Sequence, residues 1–159
     1  MSRRNRKFGL FGWLGVLVVL VPLATIVGLW RPWKSDASFS SDLEVISLGE
    51  KIYAERCAVC HGQRLQGQPN WQSPLPNGRM PAPPHNSDGH TWHHDSTSLF
   101  AITKHGLVPP WAPPDYRSNM PAFQGRLSDG EIWAVLSFIA SQWNDEARKW
   151  QRQIEMQEK

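Results

Sequence analysis

The first 35 residues of the sequence contain no acidic residue, although six of them are basic. From position 36 onward the chain holds 11 basic and 14 acidic residues, a net charge of −3, so the overall charge of +3 comes from the N-terminal segment. No basic stripe remains beyond that segment. The sequence therefore does not predict nucleic-acid binding.

Charge of either sign is missing from residues 8–30. A helix of these 23 residues would be about 34 Å long, enough to cross the roughly 30 Å hydrocarbon core of a bilayer. Trp13 and Trp30 lie near its ends, where aromatic belts form, and the basic residues before it favour a cytoplasmic N-terminus. We therefore predict a cytoplasmic tail over 1–7, a transmembrane anchor over 8–30 and a polar linker over 31–41. The rest of the chain is expected on the periplasmic or outer face of a bacterial inner membrane.

A cleaved signal peptide is the alternative interpretation of the same segment. The apolar run is longer than the roughly 7–15 residues of a signal-peptide core, and no A-x-A site follows it. Residues 35–37, Ser-Asp-Ala, are a poor substitute for such a site. The sequence favours a retained single-pass anchor.

Cysteine is scarce, and both cysteines of the chain lie in the stretch 57–61, Cys-Ala-Val-Cys-His. C-x-x-C-H is the attachment sequence of c-type haem: the two thiols add to the porphyrin vinyl groups, and the histidine reaches the iron. A zinc site needs two more ligands at metal spacing, and a thioredoxin-like pair needs a βαβ context. The helical pattern before Cys57 fits neither. The motif predicts one covalently attached haem c rather than a structural disulfide.

Around this motif, residues 42–143 resemble the class I monohaem cytochromes c, and a membrane-anchored bacterial type is expected. The resemblance implies an all-α cytochrome c fold, with the haem between a first and a last helix. It also implies that Gly49, followed by Tyr53, lies where those two helices cross. Residues 144–159 fall outside the resemblance and are interpreted as a charged C-terminal extension that is an exposed helix or frays.

Three helices are predicted from their caps and from apolar residues at helical spacing. The tetrapeptides 41–44, Ser-Asp-Leu-Glu, and 128–131, Ser-Asp-Gly-Glu, have the pattern of capping boxes that open the first and last helices. A further helix is expected from Asp95 or Ser96 to His105, with Gly106 as its stop.

His61 is expected to supply one axial ligand of the iron, and the candidates for the other are Met120, Met80, a second histidine or none. Met120 precedes Pro121 before the last helix, in what looks like the ligand segment of the family. Met120 is therefore the predicted second ligand, which suits an electron carrier because a thioether raises the reduction potential. Met80 has a similar local sequence, but is expected only to pack against the porphyrin or to be exposed.

Residues 81–84, Pro-Ala-Pro-Pro, look like the proline segment of the same family. In that segment a backbone carbonyl accepts a hydrogen bond from the ring N–H of the proximal histidine and so orients it. Pro83 and Pro84 are both candidates for this carbonyl.

The segment 80–94, here called the histidine loop, contains four of the six histidines of the chain. Three interpretations stay open: a second metal site, for which copper suits imidazole and thioether ligands; a contact to a haem propionate; or a plain polar loop. Propionates need N–H donors. The candidate donors are Trp71, Trp92, Trp111 and Arg79.

These observations predict a cytochrome, not an enzyme, that carries single electrons between redox proteins. The expected partners are membrane respiratory complexes or dehydrogenases, and no small-molecule substrate is expected. Three alternatives stay open. The chain could be the cytochrome subunit of a larger dehydrogenase or oxidase, a haem enzyme or gas sensor with an open iron position, or a copper-handling protein that uses the histidine loop.

Overall fold

The computed structural model describes residues 38–157 of the chain. The predicted tail over 1–7, the anchor over 8–30 and most of the linker over 31–41 lie outside the described residues. None of the helices within 38–157 has both the length and the apolar composition that crossing a membrane requires.

The described residues form helices joined by long loops, and their β-type pairings are two isolated bridges, Met80 with Ser118 and Gln124 with Leu127. A π-helical turn over Tyr53–Cys57 and a 3₁₀ turn over Thr91–His93 accompany the α-helices. The α-helices are α1 (Leu43–Ile52), α2 (Ala58–His61), α3 (Ser96–His105), α4 (Asp129–Ser141) and α5 (Asp145–Gln157).

The start of α1 differs from the sequence prediction. Asp42 is the N-cap, and its carboxylate accepts a hydrogen bond from the Glu44 N–H at 2.9 Å. The predicted capping box over 41–44 is wrong, because a box requires Ser41 as the cap. A carboxylate in the cap position satisfies a free N–H and also interacts favourably with the positive end of the helix dipole.

Gly49 lies at the crossing of α1 and α4, as the sequence predicts. A Cβ atom at this position would clash with the backbone carbonyl of Ala134 and would come within 2.9 Å of the Phe138 Cβ. Only glycine therefore allows the two helices to approach this closely. Tyr53, one turn later, packs beside Phe138 with 5.4 Å between ring centroids.

The caps of α3 and α4 confirm the predictions for those helices. Asp95 caps α3 by accepting from the Ser98 N–H at 2.8 Å, and Gly106 ends it with a left-handed φ of 87°. At the start of α4, Ser128 and Glu131 form the reciprocal capping box. Helix α3 consequently runs over Ser96–His105, the range expected from the sequence.

Helix α4 forms the centre of the core, since all nine residues from 132 to 140 are buried. Such a helix needs neighbours on several sides. One side packs on α1 through Ala134 and Phe138. On a second side, Trp133 stacks on Phe100 of α3, with 4.7 Å between ring centroids.

Helix α5 covers most of the predicted C-terminal extension, and it is neither frayed nor wholly exposed. Ala147 and Gln151 are buried and, four residues apart, share one face. Glu155, another turn along, accepts a hydrogen bond from the Ser96 N–H at the start of α3, at 2.6 Å. The extension therefore packs as part of the domain.

Candidate functional site

A cavity of about 300 Å³ lies against α3 and α4. Its wall is mainly apolar. Cavities that bind small molecules and cofactors have roughly 300–1,000 Å³ and mainly apolar walls with a few polar groups. The apolar side chains that α3 and α4 contribute are Leu99, Ile102, Val135, Leu136 and Ile139.

The attachment segment, residues 57–61, contributes Cys57, Cys60 and His61 to this wall. The chain enters it through the π-helical turn Tyr53–Cys57, a wide turn that is frequent at functional sites. Both cysteines are free thiols. Burial, together with the neighbouring Cys60, raises the pKa of the Cys57 thiol to about 11, so this thiol is protonated at neutral pH.

The His61 imidazole is buried and held by a single backbone carbonyl. Its Nδ1 lies 2.9 Å from the Pro83 carbonyl oxygen. Burial lowers the pKa of His61, and the hydrogen bond to Pro83 opposes this in part. The ring is therefore neutral at physiological pH, the form in which imidazole binds a metal. Because Nδ1 donates to Pro83, the lone pair of Nε2 is free to bind a metal.

Two methionines from distant parts of the chain, Met80 and Met120, both line the cavity. The Met120 N–H donates to the Ser118 hydroxyl at 3.0 Å. The Met80 N–H donates to the Arg117 carbonyl at 2.8 Å, so the backbones of the two segments run side by side. The structure thus brings the predicted ligand Met120 to the wall. It also places Met80 there, half-buried.

The proline segment 81–84 is held by two glycines. A Cβ on Gly67 would come within 2.6 Å of the Pro83 carbonyl carbon, and one on Gly89 would clash with the Pro84 carbonyl. These close approaches fix the backbone that presents the Pro83 oxygen to His61. Of the two candidates, the structure assigns this hydrogen bond to Pro83, whereas the Pro84 oxygen accepts from the Thr91 hydroxyl at 3.4 Å.

The histidines of the histidine loop lie in different environments. His85, His90 and His94 border the cavity, whereas His93 stacks on Trp92 with 3.7 Å between ring centroids. Within residues 38–157 no group of three or more His, Cys, Asp or Glu side chains is arranged to hold a metal ion. The alternative of a copper site in this loop therefore gains no support from the His, Cys, Asp and Glu side chains of the described residues. The adjacent His93 and His94 point to different neighbours, as adjacent side chains in a turn do.

Burial lowers the pKa values of the three cavity histidines. For His85 the pKa falls well below its usual value because of burial and the nearby His61 and His90 rings. Burial is also the main cause of the lowered pKa of His90, which His94 and His93 lower further. For His94, burial lowers the pKa, Asp95 opposes this in part and His93 adds to it. These rings are uncharged at neutral pH, so they can face an apolar cofactor without carrying a buried charge.

Of the predicted propionate contacts, the structure brings one to the cavity wall and leaves three away from it. Trp111 lines the cavity and stacks on His105 with 5.4 Å between centroids. Arg79, Trp71 and Trp92 lie outside the wall.

Each of these three side chains has another partner. The Trp92 indole N–H donates to the Ser87 carbonyl at 3.3 Å, and Arg79 donates to the Ser118 carbonyl. Trp71 stacks on His90, with 5.1 Å between ring centroids. Pro84, the other candidate for the carbonyl that orients His61, is also not on the wall. The side chains of Trp92, Arg79 and Trp71 instead form hydrogen bonds and stacking contacts between the loops around the cavity.

Several polar residues of the wall were missed by sequence analysis. Arg56, Tyr116 and Asn119 all line the cavity. Their positions in the sequence offered a signal, since Arg56 precedes the first cysteine and Asn119 precedes Met120. Burial raises the pKa of Tyr116, so its phenol stays protonated and is a potential hydrogen-bond donor at the cavity.

The residues of the wall fit a covalently attached haem c. Two thiols followed by a histidine in C-x-x-C-H spacing are the groups that hold this cofactor. Imidazole and thioether together are one of the axial ligand pairs of haem iron. The cavity supplies all four side chains, Cys57, Cys60, His61 and Met120, within one mainly apolar wall.

Comparison with protein-family models matches residues 46–143 to the cytochrome c family, more than half of the chain. The match supports a haem protein that carries electrons, with haem c bound through the two cysteines, and it fits an electron carrier rather than an enzyme. Together with the helical structure it confirms the predicted all-α fold. Comparison with curated proteins and with solved structures found no match.

Proposed function

The chain belongs to the cytochrome c family, and we propose that it carries single electrons between redox proteins at the outer face of a membrane. One haem c is attached to Cys57 and Cys60, with His61 and Met120 as the axial ligands of its iron. The observation that carries this proposal is the convergence of His61 and Met120, far apart in sequence, on one apolar cavity that also holds both thiols.

When bound, haem c supplies a one-electron Fe(III)/Fe(II) couple. The residues of the chain bind it, orient its ligands and limit the access of water. Pro83 holds the His61 ring through Nδ1, and this leaves Nε2 as the nitrogen that would bind the iron. The apolar side chains of α3 and α4 provide a low-dielectric wall, which disfavours the more charged oxidised state.

The attachment segment lies at the protein surface, which suits electron exchange with another protein. Val59, between the two cysteines, is 85% exposed. A partner can therefore approach the thioether-linked side of the cofactor without a change in the fold. Contacts of electron-transfer proteins are typically small and weak, so a short exposed segment is sufficient.

The membrane location of the proposal is supported by the sequence alone. The uncharged run 8–30 behind a basic tail is a single-pass anchor with the haem domain on the periplasmic or outer face. An anchor confines the domain to the membrane surface and raises its effective concentration near membrane-bound partners. Respiratory complexes and membrane dehydrogenases are the partners we propose.

The ligand assignment is tested by replacing each of the two methionines of the wall by alanine in a separate variant. In Met120→Ala, the ferric protein is expected to lose the sulfur-to-iron charge-transfer absorption and its reduction potential is expected to fall, because a thioether raises the potential. Met80→Ala is the matched control, since Met80 is also followed by proline and also lines the cavity. It should keep that absorption.

A Met120→Ala variant with the spectrum of the wild type would contradict the ligand assignment. A wild-type protein that binds an added small ligand as readily as Met120→Ala would instead favour a haem enzyme or sensor. Purification in mild detergent distinguishes the free carrier from the subunit of a larger oxidoreductase. A stoichiometric complex that survives this treatment would contradict the free-carrier proposal.

A further inference from the structure

His85 lies directly against the proximal histidine. The rings of His61 and His85 are stacked, with 4.0 Å between centroids and 21° between planes. Pro83, two residues earlier, accepts the hydrogen bond of the His61 Nδ1. One short segment therefore contacts the His61 ring twice, at its edge through a carbonyl and on its face through a second imidazole.

The backbone of His85 is held on both sides. Its N–H donates to the Leu65 carbonyl at 2.8 Å. Its carbonyl accepts from the indole N–H of Trp143, just after α4, at 2.9 Å. Leu65 and Trp143 are both buried, so these two bonds connect His85 to the core rather than to mobile surface groups.

The His85 ring itself is tethered by Thr91. The His85 Nδ1 lies 2.8 Å from the Thr91 hydroxyl oxygen, and that hydroxyl donates to the Pro84 carbonyl at 3.4 Å. A hydroxyl has one hydrogen to donate. Which of the two atoms supplies the hydrogen of the 2.8 Å contact depends on the tautomer of His85. The hydrogen bonds therefore set the rotation of the ring as well as its position.

We infer that His85 is a positioning residue that fixes the plane of the His61 imidazole relative to the haem. The single hydrogen bond to Pro83 tolerates tilting of the ring, since hydrogen-bond geometry at a carbonyl is broad. The stacked His85 ring at 4.0 Å, itself held at three points, limits this tilting. The inference rests on the proposed function, because it requires His61 to be an iron ligand.

The orientation of an axial imidazole has a spectroscopic signature separate from electron-transfer activity. In low-spin ferric haem, the orientation of the imidazole plane, together with that of the second axial ligand, decides how unpaired spin is distributed over the four pyrroles. The order and spread of the four haem-methyl proton shifts report this distribution. A residue needed only for packing would change stability and leave this order unchanged.

The test measures the haem-methyl shifts of the full-length ferric protein in His85→Leu, His85→Phe and Thr91→Val. His85→Leu removes the flat neighbour, so we expect a changed order and a reduced spread of the four shifts. His85→Phe keeps a flat ring but loses the bond to Thr91, so it should change the shifts less than His85→Leu does. Thr91→Val removes only the tether and should give a smaller change in the same direction. His93→Leu is the control, since His93 is in the same loop but stacks on Trp92.

A His85→Leu protein that attaches haem and shows the wild-type order and spread overturns the inference. If His85→Leu does not fold, Thr91→Val decides, since a wild-type pattern there overturns the inference and an altered pattern supports it. Failure of the proposed function is distinguishable. In that case the wild-type chain attaches no haem, or His61→Ala leaves its low-spin spectrum unchanged.

Discussion

The attachment segment, residues 57–61, and the histidine loop, residues 80–94, border the same cavity but are built differently. In the attachment segment the reactive groups lie within five consecutive residues, on one short helix and the turn before it. The histidine loop has no α-helix, and its positions depend on partners elsewhere, such as Leu65, Gly67 and Trp143.

One region therefore supplies the groups that react with the cofactor, and the other orients them. The attachment segment supplies the bonds to the cofactor, and its spacing alone identifies them. The histidine loop supplies the carbonyl of Pro83 and the ring of His85, which act on His61 through tertiary contacts. Loss of the thiols of the first segment should abolish covalent attachment of the cofactor, whereas changes in the second segment should alter stability and ligand geometry with the cofactor still attached.

The largest effect is expected in the attachment segment. Replacement of both Cys57 and Cys60 by serine should abolish covalent attachment, because no other cysteine occurs in the chain. Haem staining after denaturing electrophoresis measures this directly. Val59→Ala is the control within the same motif, since Val59 is exposed and should leave the stain unchanged. Covalent haem in the double serine variant would contradict the assignment.

The next largest effect is a loss of stability when a side chain at position 67 pushes against the backbone of the histidine loop. Gly67 and Gly78 both have left-handed φ values, 69° and 76°. A Cβ on Gly67 meets the backbone of residues 82–84, whereas one on Gly78 meets open space. Gly78→Ala should cost only the conformational term, about 1–2 kcal/mol, and Gly67→Ala about 1–3 kcal/mol more from overpacking.

Denaturant unfolding of the haem-loaded proteins measures this pair. Since the two variants share the same backbone penalty, their difference isolates the packing of Gly67 against the proline segment. Equal losses of stability for Gly67→Ala and Gly78→Ala would show that the proline segment can move away from residue 67. They would contradict the view that the histidine loop depends on this tertiary contact.

A smaller effect is expected when the loop loses its bond to Trp143. Trp143→Phe removes the indole N–H that donates to the His85 carbonyl and leaves space in a buried site. The free energy of unfolding should fall by about 1–3 kcal/mol, with haem still attached. Trp150→Phe, at a half-exposed site on α5, should change it by less than about 0.5 kcal/mol. Similar losses of unfolding free energy for the two variants would contradict a stabilising role of the bond from Trp143 to His85.

The smallest effect is a dependence of stability on pH. Burial lowers the pKa values of His90 and His94 in the folded protein, whereas in the unfolded chain they titrate near about 6.5. The unfolded state therefore binds more protons below that pH, and stability falls as the pH decreases through this range. Urea unfolding at about pH 7.5 and pH 5.5 should show this loss. The loss of stability should be smaller in the double variant His90→Asn/His94→Asn. An unchanged loss would contradict its attribution to these two histidines.

Much of the helical framework could be predicted because its signals are local. Caps at Asp95 and Ser128 and the glycine at position 106 act on neighbouring backbone groups, so they are visible in a few residues. The start of α1 was predicted one residue too early, because Ser41 and Asp42 are both good caps and the sequence pattern favoured a box. The burial of one face of α5 could not be predicted, since its polar sequence hides the contact of Glu155 with α3.

The sequence by itself determined the attachment chemistry, because covalent attachment and proximal ligation need only the order Cys-x-x-Cys-His. It also indicated Met120, through its proline and its place before the last helix. Only the tertiary structure decided which carbonyl holds His61, that Met80 shares the wall, and that His85 stacks on the proximal ring while Trp92 turns away. These outcomes depend on how loops that are far apart in sequence pack around one cavity. No short pattern of residues specifies such packing.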